Sequence, residues 1–452
     1  MQIVFWKWGF TFTIRELMLI SLALHLLAIG FPSDGTVFDE TYYVKAANDI
    51  LEGVASNPEH PFVGKLWGAI GIAIFGDNWF GWRIPIVAFG VLTLYVFYNL
   101  ARHFLDERRA LVATAFLSFE TIFFMHSSLL LLDIPPLFFG ILGFYFYCKD
   151  RYILSAVSLG MAILSKEWGI LFVFALLAYH IFTTKPLSRR GLNVSRPMLI
   201  KTGKFVAVLI LVVAMPLWTY AIIYKPGTDA EVRVTVIHIV DQEGNILETS
   251  TTEDTIFKGQ ISNPVDQILY IIRYQSGLTL KEDSKTSYWN NYAWGWIIPI
   301  EFEPPTYYQK AISIKVQTKV GEEVIEEEVT ERRPISWRGA GNMIVWLGIW
   351  LVGPFAAINI LRRKANKLDY LIIAWIIGTF LPWLYVSAVV ERIVYAFYFV
   401  NVVPIIALGI PYFVAGVSRG GTEKFALLTW LGAAIIFFFY YYPVNVFDFA
   451  SG

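Results

Sequence analysis

Asp39 and Glu40 stand side by side just after the first apolar run, in Val37-Phe38-Asp39-Glu40-Thr41-Tyr42-Tyr43. Adjacent acids at the edge of lipid-soluble sequence need a reason, because an unpaired charge near hydrocarbon is costly and usually functional. More polar side chains recur at the ends of apolar runs: His60 and Lys65, Arg83, His126 and Asp133, Lys166 and Glu167, Glu391 and Arg392. A carboxylate can take a proton from an attacking hydroxyl. Cations can hold a phosphate or pyrophosphate whose lipid tail stays in the bilayer. An enzyme with a lipid-phosphate-activated donor needs both. Each residue also has an ordinary structural reading. Asp39-Glu40 suits the first turn of a helix, and Asp133 suits a helix cap. Lys65, Arg83 and Lys166 sit where cations snorkel. Arg392 can pair with Glu391, and His60 and His126 can be structural. The aromatic stretch Tyr288–Trp296, with Tyr292 and Trp294, fits an interface belt or a stacking surface for sugars.

The elements that must position these residues are membrane helices. The chain is 56% hydrophobic and 16% charged, whereas soluble domains carry about 25% charge. Apolar runs of ~20 residues recur, each long enough to cross a bilayer. The expected fold is an α-helical polytopic membrane protein with about eleven spans, near 15–31, 82–104, 109–126, 129–147, 152–165, 168–183, 204–224, 341–361, 370–389, 393–414 and 425–443. Acidic sequence, not a small-residue cleavage site, follows 15–31, so that segment is read as a retained span. Zero net charge argues against a nucleic acid partner. Cys148 is the sole cysteine, which excludes an intrachain disulfide and a cysteine metal cluster.

Charge orients the spans. Lys185, Arg189, Arg190, Arg196, Lys201 and Lys204 crowd one loop, and Arg362, Arg363, Lys364 and Lys367 another. Basic loops face the cytoplasm, which puts the N-terminus there and the C-terminus outside. Every polar candidate then meets on the extracytoplasmic face. Three parts follow: residues 1–224 with seven spans and a first outer loop 32–81, an outer insertion 225–340, and residues 341–452 with four spans. In the first loop, 40–52 can form a helix, and 65–75 is apolar but too short to cross, so both should lie along the interface. In the insertion, Val232–Val240 alternates as a strand, 241–245 reads as a turn into a second strand, and Ala311–Val320 with Val324–Val329 reads as a hairpin. The insertion is therefore expected to be a small β-rich domain.

Several segments, in order, resemble the protein O-mannosyltransferase family of GT-C membrane glycosyltransferases. Phe38-Asp39-Glu40 resembles the family's acidic pair after its first span. His60-Pro61-Phe62-Val63-Gly64-Lys65 is similar to its His-Pro-Pro-Leu-Gly-Lys motif, with Phe62 in place of the second proline. Phe80-Gly81-Trp82-Arg83 resembles the arginine that opens its second span, and Leu131-Leu132-Asp133 resembles its Leu-Leu-Asp motif. Ser165-Lys166-Glu167-Trp168-Gly169 resembles Ser-Lys-Trp-Val-Gly with Glu167 inserted. Arg392 with Tyr395, Tyr398 and Pro404 resembles the late Arg…Tyr…Pro stretch.

The resemblance implies an inverting transfer of mannose from polyprenyl (dolichyl) phosphate to Ser or Thr hydroxyls of exported proteins. It makes Asp39 the general base, with Glu40 and Asp133 as further catalytic acids. Lys65, Arg83, Lys166 and Arg392 would hold the donor phosphate, and His60, Glu167, Tyr292, Trp294 and Glu391 would contact sugar or acceptor. A divalent cation on Asp39 and Asp133 is left open, and so is a dimer. The insertion is too short for the β-trefoil of eukaryotic members, so the chain looks like a prokaryotic, archaeal-type member in the plasma membrane. Two other readings are a GT-C transferase with a lipid or glycan acceptor and a transporter or flippase. The latter predicts inverted repeats and midplane charges, and neither is visible.

Overall fold

The computed structural model describes residues 3–5, 10–54, 57–184, 187–188, 191–192, 196–224, 227–228, 232–240, 246–255, 259–261, 263–278, 292–298, 306–320, 323–419 and 421–444. The first half holds α1 (Ile14–Ala28), α2 (Glu40–Leu51), α3 (Phe62–Phe75), α4 (Trp79–Phe104), α5 (Glu107–Ser118) and α6 (Thr121–Ser128). It continues with α7 (Ile134–Cys148), α8 (Tyr152–Ser165), α9 (Ile170–Thr184) and α10 (Arg196–Tyr224). After α11 (Pro264–Gly277) come α12 (Met343–Trp346), α13 (Ile349–Leu361), α14 (Lys367–Thr379), α15 (Leu381–Ala388), α16 (Val403–Val417) and α17 (Thr422–Tyr440).

Local signals set these boundaries. The Asn78 side chain caps α4 by accepting from Phe80 and Gly81 N–H at 3.0 and 3.2 Å. Asp106 starts α5 in the same way, through Arg108 and Arg109 N–H. A helix leaves its first N–H groups without partners, and such side chains satisfy them. Pro135 and Pro136 open α7, where a missing N–H costs nothing.

Among the described residues six stretches are long and apolar enough to cross a bilayer, and the α5–α6 pair, bent by 65°, makes a seventh if it is one broken span. The protein is a multi-pass integral membrane protein. The expected count of about eleven exceeds this because α1, α7, α8 and α16 are only 14 or 15 residues long. For three of them the reason is local. Leu129–Asp133 before α7, Lys166 after α8 and the 3-10 turn Ala396–Asn401 before α16 are irregular backbone carrying polar or aromatic side chains. Helix length is lost where the polar residues gather. The lipid-facing character elsewhere is plain on α10, where Ile210, Met215, Ile222 and Ile223 are more than half exposed.

α2 and α3 follow α1, over the stretches 40–51 and 62–75. In the insertion, Val232–Val240 pairs antiparallel with Ile246–Thr255, and Thr306–Val320 pairs with Glu323–Arg338. Each pair is its own two-stranded sheet among the described residues. The turn 241–245 and residues 288–291 of the aromatic stretch lie outside the described residues.

Close backbone approach holds the helices together. At Gly378 in α14 an added Cβ would lie 2.2 Å from the Ala175 backbone nitrogen in α9, and at Gly64 in α3 it would lie 2.2 Å from the Ser165 carbonyl that ends α8. Without a hydrophobic drive between helices in lipid, small residues at contacts supply the packing. The two helical halves meet at Glu120, the buried residue at the α5–α6 bend. Its carboxylate accepts from the Phe123 and Asn342 N–H groups and from the Trp346 indole. The Asn342 amide in turn donates to the Phe119 and Ala434 carbonyls, at 2.9 Å each.

Candidate active site

The acidic pair splits into two different environments. Glu40 is fully buried at the start of α2. It accepts from Val37 N–H and Leu130 N–H at 2.9 Å each, and from Arg83 Nε and Nη2 at 2.8 Å each. Arg83 spends its other N–H groups on the Ile29, Pro32 and Gly35 carbonyls, at 2.7, 2.9 and 3.2 Å. All five guanidinium N–H groups are engaged, and the pair ties α2 and α4 to the segment between α1 and α2 and to the segment after α6. Inside a protein, a charge is tolerated only when paired and hydrogen-bonded in this way.

Asp39 lies one residue earlier, at the cap position of α2, and makes no cap bond. Its backbone carbonyl accepts from Tyr42 and Tyr43 N–H. Among the described residues its carboxylate accepts no hydrogen bond. The preceding Phe38 adopts φ 55°, a conformation that is uncommon for a bulky residue. Burial raises the Asp39 pKa above the ordinary carboxylate range; Lys166 opposes the shift, and Asp133 adds to it.

Asp133 is the hub of a second buried group. Its Oδ1 accepts from Lys166 Nζ at 2.9 Å and from the Trp168 indole at 3.0 Å, and its Oδ2 faces His126 Nδ1 at 3.0 Å. Lys166 ends α8 in extended backbone, φ −160°. Burial disfavours its charged form, but Asp133, Tyr398 and Glu167 more than offset this and hold its pKa at about 12. Lys166 is therefore a fixed cation. Its ammonium lies 5.8 Å from the Tyr398 ring centre, and the Arg392 guanidinium lies 5.8 Å from the same ring.

Arg392 is 7% exposed. It donates to the Gln275 and Ile393 carbonyls at 3.0 and 3.1 Å and to the Gln275 side-chain oxygen. Among the described residues no carboxylate lies within ion-pair distance of it. Glu391, at φ 52° and exposed, does not pair with its neighbour. Gln275 also donates to Glu167 at 3.2 Å, and Glu167 meets His60 Nδ1 at 2.8 Å.

The structure thus joins Asp133 with Lys166 and His126, and Arg392 through Gln275 with Glu167 and His60, and it sets Asp39 within reach of the charges of Lys166, Asp133, His60 and His126. Three others are engaged in framework contacts. Arg83 has no donor left for a phosphate, and Glu40 has no free lone pair to offer a substrate. The buried Lys65 ammonium donates to Asn57 and to the His60 carbonyl at 3.0 Å, so it holds the α2–α3 connection. Asp133, with its oxygens taken by a cation, an indole and an imidazole, does not fit as a divalent cation ligand. Among the described residues no group of three His, Cys, Asp or Glu could hold a metal. Tyr292 and Trp294 stack at 4.3 Å. The turn that carries them packs on α15 and on Ala396–Asn401. Gln275 was missed from sequence. A start signal for its helix is legible in Asn263-Pro264-Val265-Asp266, where Asn263 caps Val265 and Asp266, but nothing in sequence points α11 at Arg392.

Residues 59–220 match the family model described as Dolichyl-phosphate-mannose-protein mannosyltransferase. A polyprenol-phosphate-mannose–protein mannosyltransferase of Mycolicibacterium smegmatis is 34% identical over 156 residues, which is 32% of this chain and 29% of that protein. The chain thus spans about a third of that relative's length. The enzyme of the same name from Corynebacterium glutamicum is 24% identical over 84% of this chain and 77% of its own. Both relatives are bacterial, not archaeal. Among solved structures, a chain of the S. cerevisiae protein O-mannosyltransferase Pmt1-Pmt2 complex bound to the sugar donor superposes with a TM-score of 0.66. The identity is 12%, over 95% of this chain and 89% of that one. The likeness to it shows a shared fold.

Proposed function

We infer that this chain is a GT-C mannosyltransferase of the protein O-mannosyltransferase kind, and the roles of its site residues proceed from that premise. The donor is a polyprenyl phosphate mannose, and the acceptor is a Ser or Thr hydroxyl of an exported polypeptide. The observation that carries this reading is a pair of unmet charges in one buried cluster. Among the described residues, the Asp39 carboxylate accepts no hydrogen bond, and Arg392 is a buried cation with no carboxylate within ion-pair distance.

Asp39 takes the proton from the acceptor hydroxyl as its oxygen bonds the anomeric carbon of mannose. The bond from that carbon to the phosphate oxygen breaks, and the electron pair leaves with the lipid phosphate. Attack opposite the leaving group inverts the anomeric carbon. Lys166 and the remaining N–H groups of Arg392 stabilise the charge that develops on the phosphate, where preorganised cations have the greatest effect. Asp133 keeps Lys166 charged and in place. Burial pushes the Asp39 pKa toward the working pH, which suits a general base. The Tyr292–Trp294 stack beside the site supports a role in binding sugar or acceptor. About eleven crossings with the basic loops inside would set this cluster on the extracytoplasmic face.

The test is transfer by the purified protein from polyprenyl phosphate mannose to a Thr-containing peptide, read by mass spectrometry. Mannosylated peptide is expected. A glycolipid product with untouched peptide would reject the protein acceptor. Uptake into proteoliposomes without any transfer would reject the enzyme.

A further inference from the structure

Gln275 bridges two opposite charges. One end of its side chain accepts from Arg392, and the other donates to Glu167 at 3.2 Å. A guanidinium has only donors and a carboxylate has only acceptors, so the amide is oriented one way. Few side chains could do this. Leu or Met offers no polar atom, Glu offers no donor, and Asn is one methylene shorter.

The helix that carries Gln275 is pinned across the site. Gln267 of α11 donates to the Pro58 carbonyl at 2.5 Å, the Leu278 carbonyl accepts from Ile393 N–H at 2.9 Å, and the Gln275 carbonyl accepts from Arg392 Nε at 3.0 Å. On the opposite face Val265, Ile268, Leu269 and Ile272 are 44–62% exposed, as an interfacial helix requires. The chain His60–Glu167–Gln275–Arg392 therefore joins the α2–α3 connection, the start of the α9 span, α11 and the segment before α16.

We propose that Gln275 is a positioning residue for the donor phosphate, acting as a neutral spacer that keeps Glu167 from neutralising Arg392. With the amide in place, Glu167 is satisfied by His60 and Gln275, and Arg392 keeps its positive charge for the phosphodiester. Without the amide, the guanidinium and the carboxylate are drawn together, because a buried opposite pair gains most by contact. This inference rests on the proposed role of Arg392.

The test measures equilibrium binding of the mannosyl phosphate lipid, without acceptor, between pH 5 and pH 8. The backbone contact from Arg392 to residue 275 survives substitution, so the helix keeps its anchor. Gln275→Ala is expected to weaken donor binding about tenfold, the scale of a lost hydrogen bond to a charged group, with the KM for the peptide acceptor unchanged. Gln275→Glu is expected to weaken it at least as much at pH 8. As the pH falls and the introduced carboxyl takes a proton, binding should recover toward wild type. A purely structural role would not give that pH-dependent recovery. Wild-type donor affinity in both variants, or a Gln275→Glu loss that does not vary with pH, would overturn the proposal. Arg392→Ala separates the two claims. If it binds donor normally, the phosphate role of Arg392 falls, and the spacer with it. If it binds weakly while the Gln275 variants bind normally, only the spacer falls.

Discussion

A proton acceptor must keep its lone pairs free, and a structural acid must not. Asp39 and Glu40, one peptide bond apart, meet these opposite demands. The Asp39→Asn protein is expected to lose transfer by a factor of about 10² or more, the range for a removed general base, in a radiolabel or mass-spectrometric assay. Its thermal stability should be unchanged or higher. The sign follows from burial: an acid whose folded pKa is raised stabilises the fold while protonated, and this contribution is lost as the pH climbs through the folded pKa. Asn keeps the neutral shape at every pH. For the same reason the acid limb of the wild-type kcat/KM profile should fall at a higher pH than an ordinary Asp would give, because the base must be ionised to act. Glu40→Gln and Arg83→Ala belong to the other class. Each breaks a fully buried pair, which costs about 3–5 kcal/mol, so loss of folded protein in a thermal-shift assay should precede any change in donor affinity. The pair was legible in sequence as two acids at a membrane edge. Which acid was free was not, because that depends on Arg83, 43 residues away, and on the Leu130 amide, 90 residues away.

At the scale of elements, the site is built where helices stop. The backbone before α7, after α8 and before α16 leaves the helical path, and these breaks deliver Asp133, Lys166 and Tyr398. Hydropathy located the apolar runs, because each run carries its own composition. It overstated their regular length, because a buried irregular turn has the same composition as a helical one. Gly64 makes one of these stops depend on a neighbour. An added Cβ there would lie 2.2 Å from the Ser165 carbonyl, one residue before Lys166. The Gly64→Ala enzyme is expected to shift α3 away from the end of α8 and to lose most of its turnover while remaining folded, as judged by size-exclusion elution and residual donor binding. Wild-type turnover would mean that the α3–α8 contact does not govern Lys166. The helix α11 shows the limit of reading elements from sequence. Its cap residues are local and visible. Its placement over Arg392 is a tertiary contact spanning 117 residues, and no local pattern encodes it.

On the scale of the whole molecule, two helical halves must stay in register for Lys166 and Arg392 both to lie by the Tyr398 ring. The joint at Glu120, Asn342 and Trp346 holds that register from within the core. Asn342→Ala removes the amide that donates to the Ala434 carbonyl of α17 and leaves the buried Phe119 carbonyl without that donor. At roughly 1–3 kcal/mol for each buried group left unsatisfied, a clear drop in melting temperature in detergent is expected, with inactivation following the same curve. The motifs were legible because they lie in order along the chain. Three of the residues in those motifs, Glu40, Lys65 and Arg83, make framework contacts that motif order did not disclose, since order records position and not which atoms remain free.

The Glu40–Arg83 pair fixes Asp39 through its backbone neighbours, leaving the carboxylate itself untouched. The position is therefore a socket that stands whether or not it is filled. Removing the side chain should not collapse the surrounding protein, and a small carboxylate from solution could occupy the space. Formate added to an inactive Asp39→Ala enzyme is expected to restore part of its turnover and to do nothing for Glu40→Ala, whose socket falls with its side chain.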